Sequence, residues 1–252
     1  MLERRSLLKT IGIGSTTVAL DLNSISPSRA ETSTAHTLTD QPTQDAIITP
    51  TQALKELLAG NQRFVSGDMH HPHQDADRRT DLANHQTPFV TLFGCSDSRL
   101  SSEIIFDQGL GDMFVVRTAG HVFESPALGS IEYGVHALNT PLVVVIGHDS
   151  CGAVKAAKQA LEQGEFPSSY IRDLVEPIIP SLVSPNLPQG ASINDIVQEH
   201  TRQTCENILK RSQLLTQAVE ENRTAVVGMF YGFSDGKAKI VFASDNISQV
   251  KL

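Results

Sequence analysis

Apolar residues first take a helical rhythm from Thr51 to Val65, where Leu54, Leu57, Leu58 and Phe64 fall on one stripe. Positions three or four apart lie above one another on a helix, so this spacing predicts an amphipathic helix starting at Pro50 or Thr51. Gly67 to Asp77 breaks the rhythm and reads as a polar loop carrying His70, His71 and His73. The pattern then changes to short, nearly continuous apolar runs at Phe89 to Phe93, Met113 to Val116, Leu142 to Ile146 and Ala225 to Phe230. Helical segments are expected at Ala127 to Leu138, Ala153 to Gly164 and Ile193 to Val219. Unbroken apolar strands alternating with helices indicate a parallel sheet covered on both faces. A Ser234-Asp235-Gly236 turn between two strand-like runs predicts a closing antiparallel hairpin. The expected fold is α/β, a mostly parallel central sheet with flanking helices and an antiparallel C-terminal edge hairpin, in one domain over residues 49–252.

The chain ahead of that domain follows other rules. Glu3-Arg4-Arg5-Ser6-Leu7-Leu8-Lys9 precedes a mildly apolar run from Ile11 to Leu20, and Ser28 and Ala30 are small residues suited to cleavage after Ala30. The paired arginines resemble a twin-arginine export signal over residues 1–30. That resemblance implies export of the folded protein to the periplasm, or to a thylakoid lumen where the source has one. The apolar run is about half of the roughly 20 residues that span a bilayer, so no permanent membrane span is expected. Residues 31–48, rich in Thr, Ser, Gln and Asp with no apolar period, read as a flexible leader.

Charge removes some functions. With 20 Lys+Arg against 28 Asp+Glu the chain is acidic, which argues against a general nucleic-acid binder. Three cysteines are too few for a disulfide framework, so each needs its own account.

Two of them sit where chemistry is expected. In an open α/β sheet, sites form beyond the carboxyl ends of the strands. One strand runs through Gly94 into Cys95-Ser96-Asp97-Ser98-Arg99, and another through Gly147 into His148-Asp149-Ser150-Cys151-Gly152. Each glycine is expected to let the chain turn sharply straight after its strand. If the strands are neighbours, two thiolates and an imidazole converge, a ligand set that leaves zinc a fourth position open for catalysis. A Cys95–Cys151 disulfide is the competing arrangement in an oxidising compartment, but it gives His148, Asp97 and Arg99 nothing to do. Cys205, near the stripe of Ile193, Val197, Ile208 and Leu209, reads as core. His70, His71 and His73 lack an acid or thiol at ligand spacing and read as solvated, as do Glu162, Glu165, Glu220 and Glu221 on helix faces.

The paired motifs, Cys95 to Arg99 and then His148 to Gly152, resemble the β-class carbonic anhydrases. The likeness extends over roughly Thr51 to Ser244, including Phe114-Val115-Val116-Arg117 and Ile131-Glu132-Tyr133. It implies a carbonate dehydratase holding one Zn2+ per chain, which interconverts carbon dioxide and bicarbonate and assembles as a homodimer able to pair into tetramers. By the same resemblance Cys95, His148 and Cys151 are the metal ligands and Asp97 with Arg99 the catalytic dyad. Asp97 would be a fourth ligand in a closed state. Gln86, Phe114, Ala119, Tyr133 and Gly152 fall where the plant-like branch lines its substrate pocket. The chain departs from another branch, which uses a Trp in a non-catalytic bicarbonate site: Leu92 stands there, and no Trp occurs anywhere. Thr118-Ala119-Gly120-His121 also departs from the Asn-rich sequence of many relatives and leaves the role of His121 open.

A zinc ion with two thiolates carries little net charge and acidifies water less than a three-histidine site, so Arg99, Arg117 and the helix start at Ala153 are expected to help. Asp97 is suited to accept the proton that aims the attacking oxygen, and Arg99 to hold Asp97 off the metal. Two alternatives share these residues. One is a carbon disulfide or carbonyl sulfide hydrolase with the same zinc chemistry; the other is a non-catalytic zinc- or bicarbonate-binding protein in which Asp97 fills the fourth position permanently.

Overall fold

Each apolar run becomes a strand of one sheet in the computed structural model, which describes residues 48–247. The expected export signal and all of the expected leader but Ile48 lie outside the described residues. Ile48 packs against the core. The strands are β1 (Val90–Cys95), β2 (Met113–Thr118), β3 (Leu142–His148), β4 (Ala225–Tyr231) and β5 (Ala238–Ala243), ordered β2-β1-β3-β4-β5. The first four pair in parallel, and β5 returns antiparallel along β4. This is the expected α/β sheet with its edge hairpin.

Every residue of β1 and β3 is buried. The reason is a layer of helix on each face. Leu92, Val144 and Val227 share one core with Leu54 and Leu57 of α1 (Pro50–Ser66) and Val154 and Ala157 of α5 (Gly152–Gln163). Phe93, Val143 and Val226 share a second core with Ile131 of α4 (Ser125–His136), Cys205 and Ile208 of α8 (Ile193–Arg211) and Leu215 of α9 (Gln213–Glu220). Cys205 is therefore core, as its place on the helical stripe suggested. α1 starts where expected because Thr49 and Gln52 form a reciprocal capping box, and it ends at Gly67 with φ 81°.

The single helix expected over Ile193 to Val219 is instead two. Ser212 is extended (φ −109°, ψ 102°); its hydroxyl accepts from the Leu215 amide at 3.1 Å and donates to Glu132 Oε1 at 2.5 Å. The apolar period hides the break, since Ile208 and Leu215 are buried on either side of it. Short helices α2 (Ala76–Asp81), α3 (Ser102–Ile105), α6 (Tyr170–Val175) and α7 (Ile179–Leu182) have too few turns to show a period. In the expected polar loop, the buried Asp107 carboxylate accepts the amides of His70 and His71 at 3.0 and 2.9 Å, and His73 Nδ1 lies 2.8 Å from Asp112. No helix among the described residues is long and apolar enough to cross a membrane.

Candidate metal centre

Parallel pairing of β1 with β3 carries Cys95 and His148 out at the same end of the sheet. The two glycines preceding them act differently from the sequence expectation: both lie inside their strands, and the chain runs straight through them. Their role is close approach. A Cβ on Gly94 would sit 2.9 Å from Ile146 Cγ2, and one on Gly147 would sit 2.4 Å from Thr201 Oγ1 and 2.8 Å from Val197 Cγ1. The turn after β3 comes later, at Ser150 (φ 54°), whose amide donates to Asn194 Oδ1 at 3.0 Å. That turn delivers Cys151 to the start of α5.

The ligand atoms of Cys95, His148 and Cys151 lie within 4.8 Å of one another, and all three residues are buried. His148 Nδ1 faces the Asp149 carbonyl at 2.9 Å and so must carry the proton that it donates. The other nitrogen, Nε2, then holds a lone pair, and it is buried with no hydrogen-bond partner. A buried acceptor left unpaired costs free energy that a bound cation would remove. Donor types, spacing and this orphaned nitrogen all fit zinc. The three cysteines are free thiols, with no Cys95–Cys151 disulfide.

Electrostatics divide the two sulfurs. Hydrogen bonding from Cys151 brings Cys95 well below the ordinary thiol range against the cost of burial, helped by His148 and by the Gly120 amide 3.2 Å from Sγ. The same contact pushes Cys151 far above its ordinary range, although the Val154 and Ala153 amides at the start of α5 oppose the rise. The two sulfurs thus share one proton. Burial opposes charge on His148, but Cys95, the Asp149 carbonyl and the Asp97 carboxylate outweigh it and raise its pKa.

Asp97 is held by Arg99, whose Nε and Nη2 donate to Oδ1 and Oδ2 at 2.9 and 2.8 Å while its amide donates to Oδ1 at 3.0 Å. The guanidinium keeps Asp97 well below the usual carboxylate range. Asp97 Oδ2 still comes within 3.9 Å of His148 Nε2. Arg117 secures the loop rather than the sulfurs, donating to the carbonyls of Cys95 and Asp97 at 2.9 and 2.7 Å. Gly120 is held through both of its backbone groups: its amide donates to Cys95 Sγ, and its carbonyl accepts from His200 Nε2 at 3.1 Å. His121, whose role the sequence leaves open, is fully buried with φ 44° and its ring 4.5 Å from that of His200. Burial holds it neutral, with a pKa far below the ordinary imidazole value.

The expected pocket residues separate into two sets. Ala119 precedes Gly120 beside Cys95, and Gly152 follows Cys151. Gln86 is exposed ahead of β1, at the end opposite Cys95. Phe114 pairs with Thr91, four residues before Cys95, a separation of roughly 13 Å along the strand. Its ring stacks on Tyr133 at 5.9 Å, and Tyr133 is 41% exposed. One chain therefore does not bring Gln86, Phe114 and Tyr133 to the ligand group. No signal in the sequence marks Phe233 and His200, whose part in the site comes from contacts across the fold.

Fold and ligand group together define a metalloenzyme site of the α/β class. The family profile described as "Carbonic anhydrase" matches residues 90–238. "Carbonic anhydrase 2" of Mycobacterium tuberculosis is 46% identical over 200 residues, covering 79% of this chain and 97% of that protein. The carbonic anhydrase of Mycolicibacterium smegmatis is 45% identical over 201 residues, covering 80% and 98%. Among solved structures, a tetrameric β-carbonic anhydrase of Sordaria macrospora shares the fold with a TM-score of 0.57 at 22% identity, covering 76% of this chain and 98% of that one. The chain belongs to the β-carbonic anhydrase family.

Proposed function

We infer that the protein catalyses the reversible hydration of carbon dioxide to bicarbonate and a proton, with one zinc ion held by Cys95, His148 and Cys151. One observation carries this reading: His148 Nε2 is orphaned beside two sulfurs while Asp97, the nearest further donor, is tied to Arg99. Zinc held by this set would act as a Lewis acid and make water a better nucleophile, though less strongly than a three-histidine site does. Asp97 stays ionised because of Arg99, and the lone pairs its carboxylate keeps free can accept a hydrogen bond from the attacking oxygen and so aim it. Arg99 holds that carboxylate in plane by its two-point contact, and Arg117 fixes the peptides on which Cys95 and Asp97 ride. The test is zinc content together with stopped-flow carbon dioxide hydration on one preparation. One zinc per chain with rapid hydration is expected; a zinc-loaded protein without hydration activity overturns the reaction, and failure to take up zinc overturns the site.

The working unit in this proposal is a homodimer. Support comes from the separated pocket residues: among the described residues β2 is the edge strand, paired with β1 alone, its Phe114 meets the 41% exposed Tyr133, and Gln86 is exposed ahead of β1. A second copy meeting this edge would supply them to the ligand group of its partner. Sedimentation should give a dimer or a multiple of it, and a monomer at micromolar concentration would exclude the arrangement.

Export is part of the same reading, supported by Arg4 and Arg5 ahead of the apolar run. Replacing both by Lys should leave unprocessed precursor in the cytoplasm, whereas the parent protein should begin at Glu31 after processing. Unchanged export of the double variant would refute a twin-arginine route.

A further inference from the structure

The Asp97–Arg99 pair has a support outside its own loop. Arg99 Cζ lies 4.0 Å from the centroid of the Phe233 ring, a cation–π distance. The same ring meets the His148 imidazole at 5.0 Å, tilted by 44°, and stands edge-on to Tyr231 at 5.6 Å. Phe233 is itself pinned: its amide donates to Asp149 Oδ2 at 3.0 Å, and Gly232 and Gly236 close the hairpin turn with backbone bonds of 3.0 and 2.9 Å. Asp149 in turn follows His148, and its carbonyl accepts a hydrogen bond from His148 Nδ1. The turn between β4 and β5 is thereby fastened to the last residues of β3, with one aromatic face left for Arg99.

Arg99 needs such a face. Its side chain is 56% exposed, and ion pairs in contact with water are weak because solvent competes for both partners. A guanidinium free to swing away would release Asp97, whose Oδ2 already lies 3.9 Å from His148 Nε2. A freed carboxylate at that distance is a competent fourth ligand for a metal held by Cys95, His148 and Cys151.

We propose that Phe233 is a positioning residue: its ring keeps Arg99 on Asp97 and so keeps the fourth side of the ligand group open to water. The proposal rests on the zinc reading, but the contact at its centre can be measured without metal. Phe233→Leu removes the aromatic face and Phe233→Tyr retains it; the residue is half-buried in a surface turn, so both variants should fold. In metal-free protein, solvent exchange of the Arg99 Nε–H followed by nitrogen-15 NMR should quicken about two- to fivefold in Phe233→Leu and stay at the parent rate in Phe233→Tyr. In zinc-loaded protein, kcat/KM should fall by a similar factor in Phe233→Leu at unchanged zinc content, with Phe233→Tyr restoring it. Parent-like exchange and turnover in Phe233→Leu would overturn the proposal. Equal losses in both variants would also overturn it, since the role would then be packing rather than an aromatic face. If no variant and not even the parent binds zinc, the zinc reading fails, while the exchange measurement still decides whether Phe233 holds Arg99.

Discussion

Asp97 and Arg99, two residues apart, meet at two points, Nε on Oδ1 at 2.9 Å and Nη2 on Oδ2 at 2.8 Å. A two-point contact fixes the plane of a carboxylate as well as its charge, which a single ion pair cannot do. Arg99→Ala should therefore keep its zinc, because Cys95, His148 and Cys151 are untouched, yet lose about 10- to 100-fold in turnover, the range seen when a group that orients a metal site is removed. Arg99→Lys should recover only part of the loss, since an ammonium supplies the charge without the fork. Metal analysis and stopped-flow hydration on the same samples test this, and near-parent rates in Arg99→Ala would remove the dyad from the mechanism.

Metal uptake should release protons in a pH-dependent way. The contact between the two sulfurs lowers the Cys95 pKa and raises that of Cys151, so one proton stays on the pair until a cation displaces it. Zinc should thus expel about one proton from sulfur near neutrality, and a further one wherever His148 is charged. The His148 pKa is raised, which extends that second range upward in pH. Apparent zinc affinity should rise about tenfold per pH unit on the alkaline side and more steeply in acid. Calorimetric zinc titrations in two buffers of different ionisation enthalpy count the protons directly, and uptake without proton release would contradict the shared-proton pair.

The strands and the ligand trio were legible along the chain because their signals are local. Apolar runs such as Leu142 to Ile146 stand out whatever surrounds them, and Cys95, His148 and Cys151 each follow such a run closely. What stayed hidden depends on contacts between distant segments. Gly94 and Gly147 are glycines because Ile146 and Thr201 lie where a Cβ would go, not because the chain turns there. Ser212 ends a helix inside an unbroken apolar period, and Phe233 reaches the site from a turn 85 residues beyond His148. The separation of Phe114 from the ligand group follows from strand register, which motif order does not encode.

Gly147 gives a direct test of that packing argument. Gly147→Ala should cost about 1–3 kcal/mol of stability, because the new methyl meets Thr201 and Val197 of α8 at well under contact distance. The strain falls next to His148, so zinc affinity should drop as well. Gly129→Ala is the matching control: it lies in α4, where an added methyl would have nothing within 4 Å, and removing a helical glycine should stabilise by about 0.5–1 kcal/mol. Urea unfolding of the three proteins compares them, and equal stability of Gly147→Ala and parent would show that α8 yields without cost.

Glu199 links acid stability to the metal loop. Its side chain is only 6% exposed, and it accepts from Arg202 at 2.7 and 2.6 Å, from Ser184 at 2.6 Å and from Gln203 at 2.7 Å. The Arg202 contact leads in outweighing burial and brings Glu199 from its ordinary 4.5 down to about 2. A carboxylate more acidic in the folded chain than in the unfolded one stabilises fully above the unfolded value and loses that stabilisation as pH falls toward the folded one. The contribution at pH 7 is about 3 kcal/mol, and it should fade between roughly pH 4.5 and 2. Glu199 neighbours His200 on α8, and His200 carries the Gly120 carbonyl behind Cys95, so loosening here should reach the ligand group. Glu199→Gln should lower stability at pH 7 by a similar amount and flatten its decline in acid, as read from urea midpoints between pH 7 and 2.5. A parallel decline in parent and variant would place the acid sensitivity elsewhere in the fold.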